Sequence, residues 1–351
     1  VRARRRAALL AAAWCFSGCG AVASGAAASW SWQLPRGFPT PAVPADNPMS
    51  EAKVALGRRL FFEPLLAVSG RYSCASCHDP ARAFSDGRAR ALGATGAMLT
   101  HNAMALVNVA YNLSFGWTTP QLRSLEAQMR VPLFNTHPIE LGVRGRERAL
   151  CAQLAADPGY AAAFAAAFPG EATGTDGSGA VSFDRLVKAI AAFERTLISG
   201  GSPFDRYVFG GEHSALSAEA KRGMALFFSA RIGCAGCHGG FNFAGNWRDA
   251  QGATGKASFA TNGTSSQPVR VPTLRNIALT GPYMHDGRFA TLAQVLGHYS
   301  RLGARTAAAP GTAPDPRLPR SALSPSEQAA LLAFLGSLTD ESFIARFAGS
   351  R

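Results

Sequence analysis

At 351 residues, with 47% hydrophobic and 16% charged residues, the chain can bury a sizeable core, is long enough for two domains and is too apolar to remain disordered. Its formal net charge of +13 is scattered, with no dense basic run and no interleaved aromatics. That argues against nucleic-acid binding and leaves an acidic protein partner or simple solubility as the meaning of the charge.

In chain order, residues 1–29 read as an export signal peptide, with Arg2, Arg4, Arg5 and Arg6 ahead of an apolar run from Ala7 to Phe16 and then small residues. Small-residue sites around Ala21 to Ser29 point to release into the periplasm, while Phe16-Ser17-Gly18-Cys19 supports the competing reading of a lipid anchor on Cys19. Processing would remove those four arginines and leave +9. The remainder has no apolar run of about 18 residues, so no transmembrane span is expected in the mature chain.

The proline-rich stretch Trp30 to Pro48 is expected to be an extended lead-in over the surface. Ser50 then fits the N-cap of a helix running through Glu51-Ala52-Lys53 to Leu60-Phe61-Phe62. The same pattern recurs from Ser217, where Glu219-Ala220-Lys221, Gly223 and Leu226-Phe227-Phe228 repeat the spacing, and each copy leads into Cys-x-x-Cys-His. This repeat predicts two related domains, residues 30–200 and 201–351, meeting in the Gly/Ser/Pro stretch Ser199 to Pro203. Further helices are expected over Arg148 to Ala156, Tyr160 to Phe168 and Phe183 to Leu197, with a loop at Gly170 to Gly179 and a closing helix from Ser324 to Ser337. Strand-like runs are few and short, so the fold class is mostly α.

Seven cysteines are present, two of them, Cys15 and Cys19, in the leader. Cys151 stands alone and reads as a small buried hydrophobe. The other four form Cys74-Ala75-Ser76-Cys77-His78 and Cys234-Ala235-Gly236-Cys237-His238, the c-type haem attachment pattern. Two thiols three positions apart can form thioethers to one porphyrin, and the next residue, His78 or His238, is then held against the iron. A thioredoxin-like pair does not explain a histidine after both copies, and zinc would need four ligands from distant sites. The expectation is therefore two cytochrome c-like domains with two covalently bound haem c groups. Whether such a chain carries electrons or catalyses depends on the sixth ligands, because only an open iron binds peroxide.

With Thr100-His101-Asn102, Phe115-Gly116-Trp117, Pro272-Thr273-Leu274-Arg275-Asn276 and Pro282-Tyr283-Met284-His285-Asp286-Gly287, the two attachment sites resemble the bacterial dihaem cytochrome c peroxidase and MauG family across nearly the whole mature chain. The resemblance implies Trp117 between the haems and Gln128 and Glu140 on the distal side of the first, as catalytic residues. Here the Trp-to-Gln spacing is slightly longer, and Thr118 replaces the usual Asp. Glu140 also has a rationale of its own, since a carboxylate beside an open iron can move a proton between peroxide oxygens. The plain alternatives are a surface carboxylate for Glu140 and a helix-face residue for Gln128.

For the second haem, the family's distal ligand is methionine in the peroxidases and tyrosine in the MauG-type branch, fourteen residues after the histidine of His-Asp-Gly. Counted from His285, that position is Tyr299. A tyrosinate is a hard anionic donor that favours storing oxidising equivalents; the alternative is an ordinary core tyrosine on a helix. Met284 matches a non-ligand position. No histidine lies between His78 and His101, so the loop ligand of the reductively activated peroxidases is missing and the first iron is expected to be open at rest. His101 matches a different part of the motif, and His137, His213 and His298 read as surface or structural residues. By resemblance, Asn102, Thr280 and Pro282 hold an interdomain calcium ion, which accepts neutral oxygens; otherwise they are turn residues.

Leu34-Pro35-Arg36-Gly37-Phe38-Pro39 and the stretch Leu99 to Asn112 further resemble methanobactin-associated members of the branch. That implies a high-valent dihaem state made with hydrogen peroxide, which oxidises tryptophan on a partner protein to kynurenine. Two other functions remain: a cytochrome c peroxidase fed by a small donor protein, and a non-enzymatic dihaem electron carrier.

Overall fold

The computed structural model describes residues 30–170, 179–261, 265, 267–304, 318 and 322–349; the expected leader, with its alternative anchor at Cys19, and most of the Gly170 to Gly179 loop lie outside these. The described chain is mostly helical, with ten α-helices and two minimal antiparallel ribbons. Helix α1 (Glu51–Phe61) starts where expected, the Ser50 side chain accepting from Lys53 N at 3.2 Å. Helices α2 (Leu125–Phe134), α3 (Glu147–Ala156), α4 (Pro158–Ala167) and α5 (Phe183–Arg195) complete the first helical group, and α6 (Pro203–Val208) follows. Then come α7 (Ala218–Phe228), α8 (Leu292–Ala304), α9 (Pro325–Gly336) and α10 (Glu341–Ala348). The ribbons pair β1 (Arg248–Asp249) with β2 (Gly252–Ala253), and β3 (Phe259–Ala260) with β4 (Val269–Arg270).

The internal repeat extends to the helix crossings that build each half. Where α1 crosses α5, a Cβ on Gly57 would lie 1.9 Å from the Ala189 carbonyl oxygen; where α7 crosses α9, a Cβ on Gly223 would lie 1.9 Å from the Ala330 oxygen. Each helix pair therefore packs backbone against backbone, with Phe193 or Phe334 beside the contact. One apolar core forms around α1 and α5, including Phe61, Phe84 and the buried Cys151; a second forms around α7 and α9, including Phe227, Phe243 and Phe334.

Two expectations change. The lead-in carries no helix, but it is not a surface strand of chain: Phe38, Pro41, Asn47 and Met49 are buried. Phe38 sits against Tyr111, Phe209 and Phe241, because its apolar area gains more by insertion than by exposure. Ser324 to Ser337 is not the last helix, since α10 follows and returns Phe343 and Phe347 to the first core. The stretch around Ser199, where the domain boundary was expected, is tied down by Asp340, which accepts from Ser199 Oγ, Gly200 N and Gly201 N at 3.1, 3.0 and 2.7 Å, with Ser199 and Ser202 buried. Burial opposes ionisation of Asp340, but hydrogen bonds from Ser342, Gly201, Phe343 and Ser199 outweigh it and hold the carboxyl below its ordinary value.

Candidate haem centres

The two Cys-x-x-Cys-His segments adopt one local geometry. Cys77 N and His78 N both donate to Cys74 O, at 3.2 and 3.0 Å; Cys237 N and His238 N donate to Cys234 O at 3.2 and 2.9 Å. One tight turn thus presents both sulfurs and the following ring to one cavity. His78 Nδ1 lies 2.9 Å from the Phe84 carbonyl oxygen, and His238 Nδ1 lies 3.0 Å from that of Phe243. A carbonyl can only accept, so each proton is on Nδ1 and each Nε2 keeps its lone pair for a metal. Burial lowers the pKa of both rings, which favours the neutral, ligating form.

The thiols behave oppositely to a disulfide-exchange pair. Burial pushes Cys77 up to about 11 and Cys234 up to about 11, and raises Cys74 further. A reactive dithiol needs a lowered pKa. Among the described residues, no cluster of three or more His, Cys, Asp or Glu side chains could hold a bare metal ion. Paired sulfurs, an oriented imidazole and an apolar cavity wall fit a covalently attached haem at each site.

The His78 cavity brings together Cys74, Cys77, Trp117, Gln128 and Glu140. Glu140 is held by its backbone: its carbonyl accepts from Ala94 N at 2.6 Å, and a Cβ on Gly93 would lie 1.9 Å from the adjoining Ile139 oxygen. Only glycine lets the two segments approach so closely. Burial raises the Glu140 pKa, partly offset by the hydrogen bond from Asn135 Nδ2 to Glu140 Oε1 at 3.3 Å. Gln128 lies on α2, which is anchored through Glu126 to Asn47 and Arg195.

Trp117 is fixed from both halves of the chain. Its Nε1 donates to Asn102 O at 2.8 Å, and its carbonyl accepts from Arg270 N at 2.8 Å. It lines the His78 cavity and a smaller void between the halves, shared with Asn102, Thr280, Pro282 and Met284. Asn102 Nδ2 donates to the carbonyl oxygens of Arg88 and Pro282 at 2.6 and 3.3 Å, so this side chain ties the two halves together.

The His238 cavity contains Cys234, Cys237 and Tyr299, the last carried by α8. Met284 does not line it. His101 lines the His78 cavity, with Nδ1 2.8 Å from Thr100 Oγ1, and its ring packs near His285. His137 and His213 are exposed, and His298 packs between Phe289 and Tyr299.

Three residues were missed in the sequence. Asn135, which donates to Glu140, gave no signal of its own in the sequence. Glu194 is buried in the wall of the His78 cavity, where burial pushes it up to about 8; its signal was an acid directly after the apolar run Ala189 to Phe193. Arg270, two residues before the Pro-Thr-Leu-Arg-Asn motif, lines the His78 and His238 cavities and the void between them.

A family model described as di-haem cytochrome c peroxidase matches residues 51–213. The methylamine utilization protein MauG of Methylorubrum extorquens is 39% identical over 267 residues, spanning 74% of this chain and 72% of that protein. Cytochrome c peroxidase Ccp of Escherichia coli is 32% identical over 270 residues, spanning 73% of this chain and 55% of that protein. Among solved structures, a MauG-like protein associated with microbial copper homeostasis superposes with a TM-score of 0.82 at 37% identity, covering 90% of this chain and 97% of its own. The diheme peroxidase BthA of Burkholderia thailandensis shares the fold, with a TM-score of 0.65 at 22% identity over 89% of this chain and 92% of its own.

Proposed function

The chain belongs to the di-haem cytochrome c peroxidase and MauG family and is a haem-dependent oxidoreductase, and from that premise we propose that it is a MauG-type enzyme using hydrogen peroxide to oxidise a partner protein. The observation that carries this reading is Tyr299 in the wall of the His238 cavity, with Met284 outside it. A phenolic oxygen at that iron suits an enzyme that stores oxidising power rather than one fed by a high-potential donor.

Haem at each site supplies, when bound, an iron able to take up oxidising equivalents from peroxide. Glu140 receives the proton of one peroxide oxygen and returns it to the other, and its burial raises its proton affinity for the return. Gln128 holds the peroxide through its amide. Trp117, anchored to Asn102 and Arg270, couples the two sites. His78 and His238 keep their rings oriented through Phe84 and Phe243. Residues 30–200 and 201–351 each contribute one haem domain, and a calcium ion at Asn102, Thr280 and Pro282 ties them together.

The substrate class is a tryptophan on a periplasmic protein, converted to kynurenine, as in the MbnH-type enzymes. The likeness to a protein associated with copper homeostasis supports a partner from a copper-handling system. Hydrogen peroxide added to the ferric protein without reductant tests the proposal. A long-lived oxidised spectrum supports it; absence of reaction until half-reduction makes the chain a donor-fed peroxidase, and no reaction in either state makes it a carrier.

A further inference from the structure

Among the described residues, Arg270 is a buried cation with no anion beside it. The side chain is 7% exposed, its Nη2 meets only the Met104 sulfur at 2.9 Å, and its Nε has no acceptor. A thioether is a weak acceptor, and an unpaired buried charge is costly. Burial alone pulls its pKa down to about 10. The three other buried arginines among the described residues are met by oxygen. Arg275 pairs with Asp205 at 2.8 Å, Arg195 with Glu126 at 2.8 Å, and Arg185 donates to the Ala180 carbonyl at 2.7 Å.

The position of Arg270 indicates what satisfies it. The residue lines both haem cavities and the void between them, and its backbone holds Trp117. Each haem carries two propionate carboxylates, and a guanidinium is the side chain best shaped to grip carboxylates by paired hydrogen bonds. We propose that Arg270 is a cofactor-binding residue shared by the two haems, donating to a propionate of each. A fixed positive charge between the irons stabilises the reduced form of both, so one side chain sets the two reduction potentials together. This rests on two haems being bound, and not on the oxidised product proposed above.

The test uses the holoprotein with Arg270→Gln and Arg270→Lys, each checked for two haems by its haemochrome spectrum. Both midpoint potentials are measured by spectroelectrochemical titration, and the propionate-bending bands by resonance Raman. The glutamine variant is expected to lower both potentials and shift the bands of both haems. The lysine variant, keeping charge but not the fork, is expected to return the potentials towards wild type while the bands stay shifted. If Arg270→Gln fails to retain haem, shifted bands at both haems in Arg270→Lys remain the expected result. A potential or a band set that stays at its wild-type value for either haem in Arg270→Gln, or unshifted bands in Arg270→Lys, overturns the proposal. Peroxide reactivity without reductant can fail while both potentials still fall, so this outcome is separable from that of the enzymatic reading.

Discussion

Replacing Glu140 by glutamine keeps the size of the side chain and its contact with Asn135 but removes the proton acceptor from the His78 cavity. A positioned acid-base group contributes about 10²- to 10⁴-fold to a proton-transfer step. Loss of that factor corresponds to about 2.7–5.4 kcal/mol in the barrier. The sign of the pH dependence follows from the same environment. Glu140 must be ionised to accept the first proton, and burial raises its pKa above the ordinary glutamate value. The rate of reaction with peroxide therefore climbs with pH through that raised pKa and levels off above it. Removing the hydrogen bond with Asn135→Ala destabilises the carboxylate, so the climb moves to higher pH while the plateau survives. Stopped-flow absorbance in the haem bands, over a pH series, reads both quantities. A Glu140→Gln rate within about threefold of wild type, or a pH profile unmoved by Asn135→Ala, would refute the assignment of Glu140 as the acid-base group, since general acid-base catalysis demands a larger loss.

Gly223→Ala sets a methyl 1.9 Å from the Ala330 carbonyl oxygen, in a crossing of two backbones that cannot yield cheaply; thermal unfolding should show a loss of about 1–3 kcal/mol or more, and an unchanged Tm contradicts the close crossing. Asp340→Asn should cost on the order of 1–3 kcal/mol by leaving donors around Ser199 poorly paired. Because the folded pKa of Asp340 is lowered, its stabilisation is present above the unfolded-state pKa and lost as pH falls through the folded value. The variant should accordingly lose part of the acid dependence seen in denaturant titrations. If the calcium ion proposed at Asn102, Thr280 and Pro282 is bound, chelating it should lower stability by about 2.7 kcal/mol from a free-calcium level of a hundredfold its Kd; differential scanning fluorimetry with and without chelator measures this, and an unchanged Tm removes the ion from the proposal.

Local signals carried much of this molecule. Cys-x-x-Cys-His makes a tight turn by itself, so both turns that bring two sulfurs and a histidine to one cavity were visible from spacing alone, and the Ser50 and Ser217 caps start α1 and α7 where the sequence placed them. Tyr299 was reached by resemblance and shares the His238 cavity, whereas periodicity had not announced its helix, α8. What stayed hidden depends on contacts between distant segments. Asp340 binds the 199–201 backbone across some 140 positions, which turns an apparent linker into buried structure. Phe38 buries an apparent surface strand because Tyr111 and Phe241 happen to meet there. Arg270 gives no signal in the sequence, because its place depends on the cavities on both sides of it.

The proposed chemistry needs two unlike irons, the His78 iron accessible to peroxide and the His238 iron capped by the oxygen of Tyr299. Resonance Raman spectroscopy of the resting ferric protein, compared with Tyr299→Phe, tests it most directly. Tyrosinate-to-iron bands are expected in the wild type and absent from the variant, alongside a five-coordinate or water-bound signature from the other haem. Nitrogen or sulfur at both sixth positions of the resting protein would contradict it.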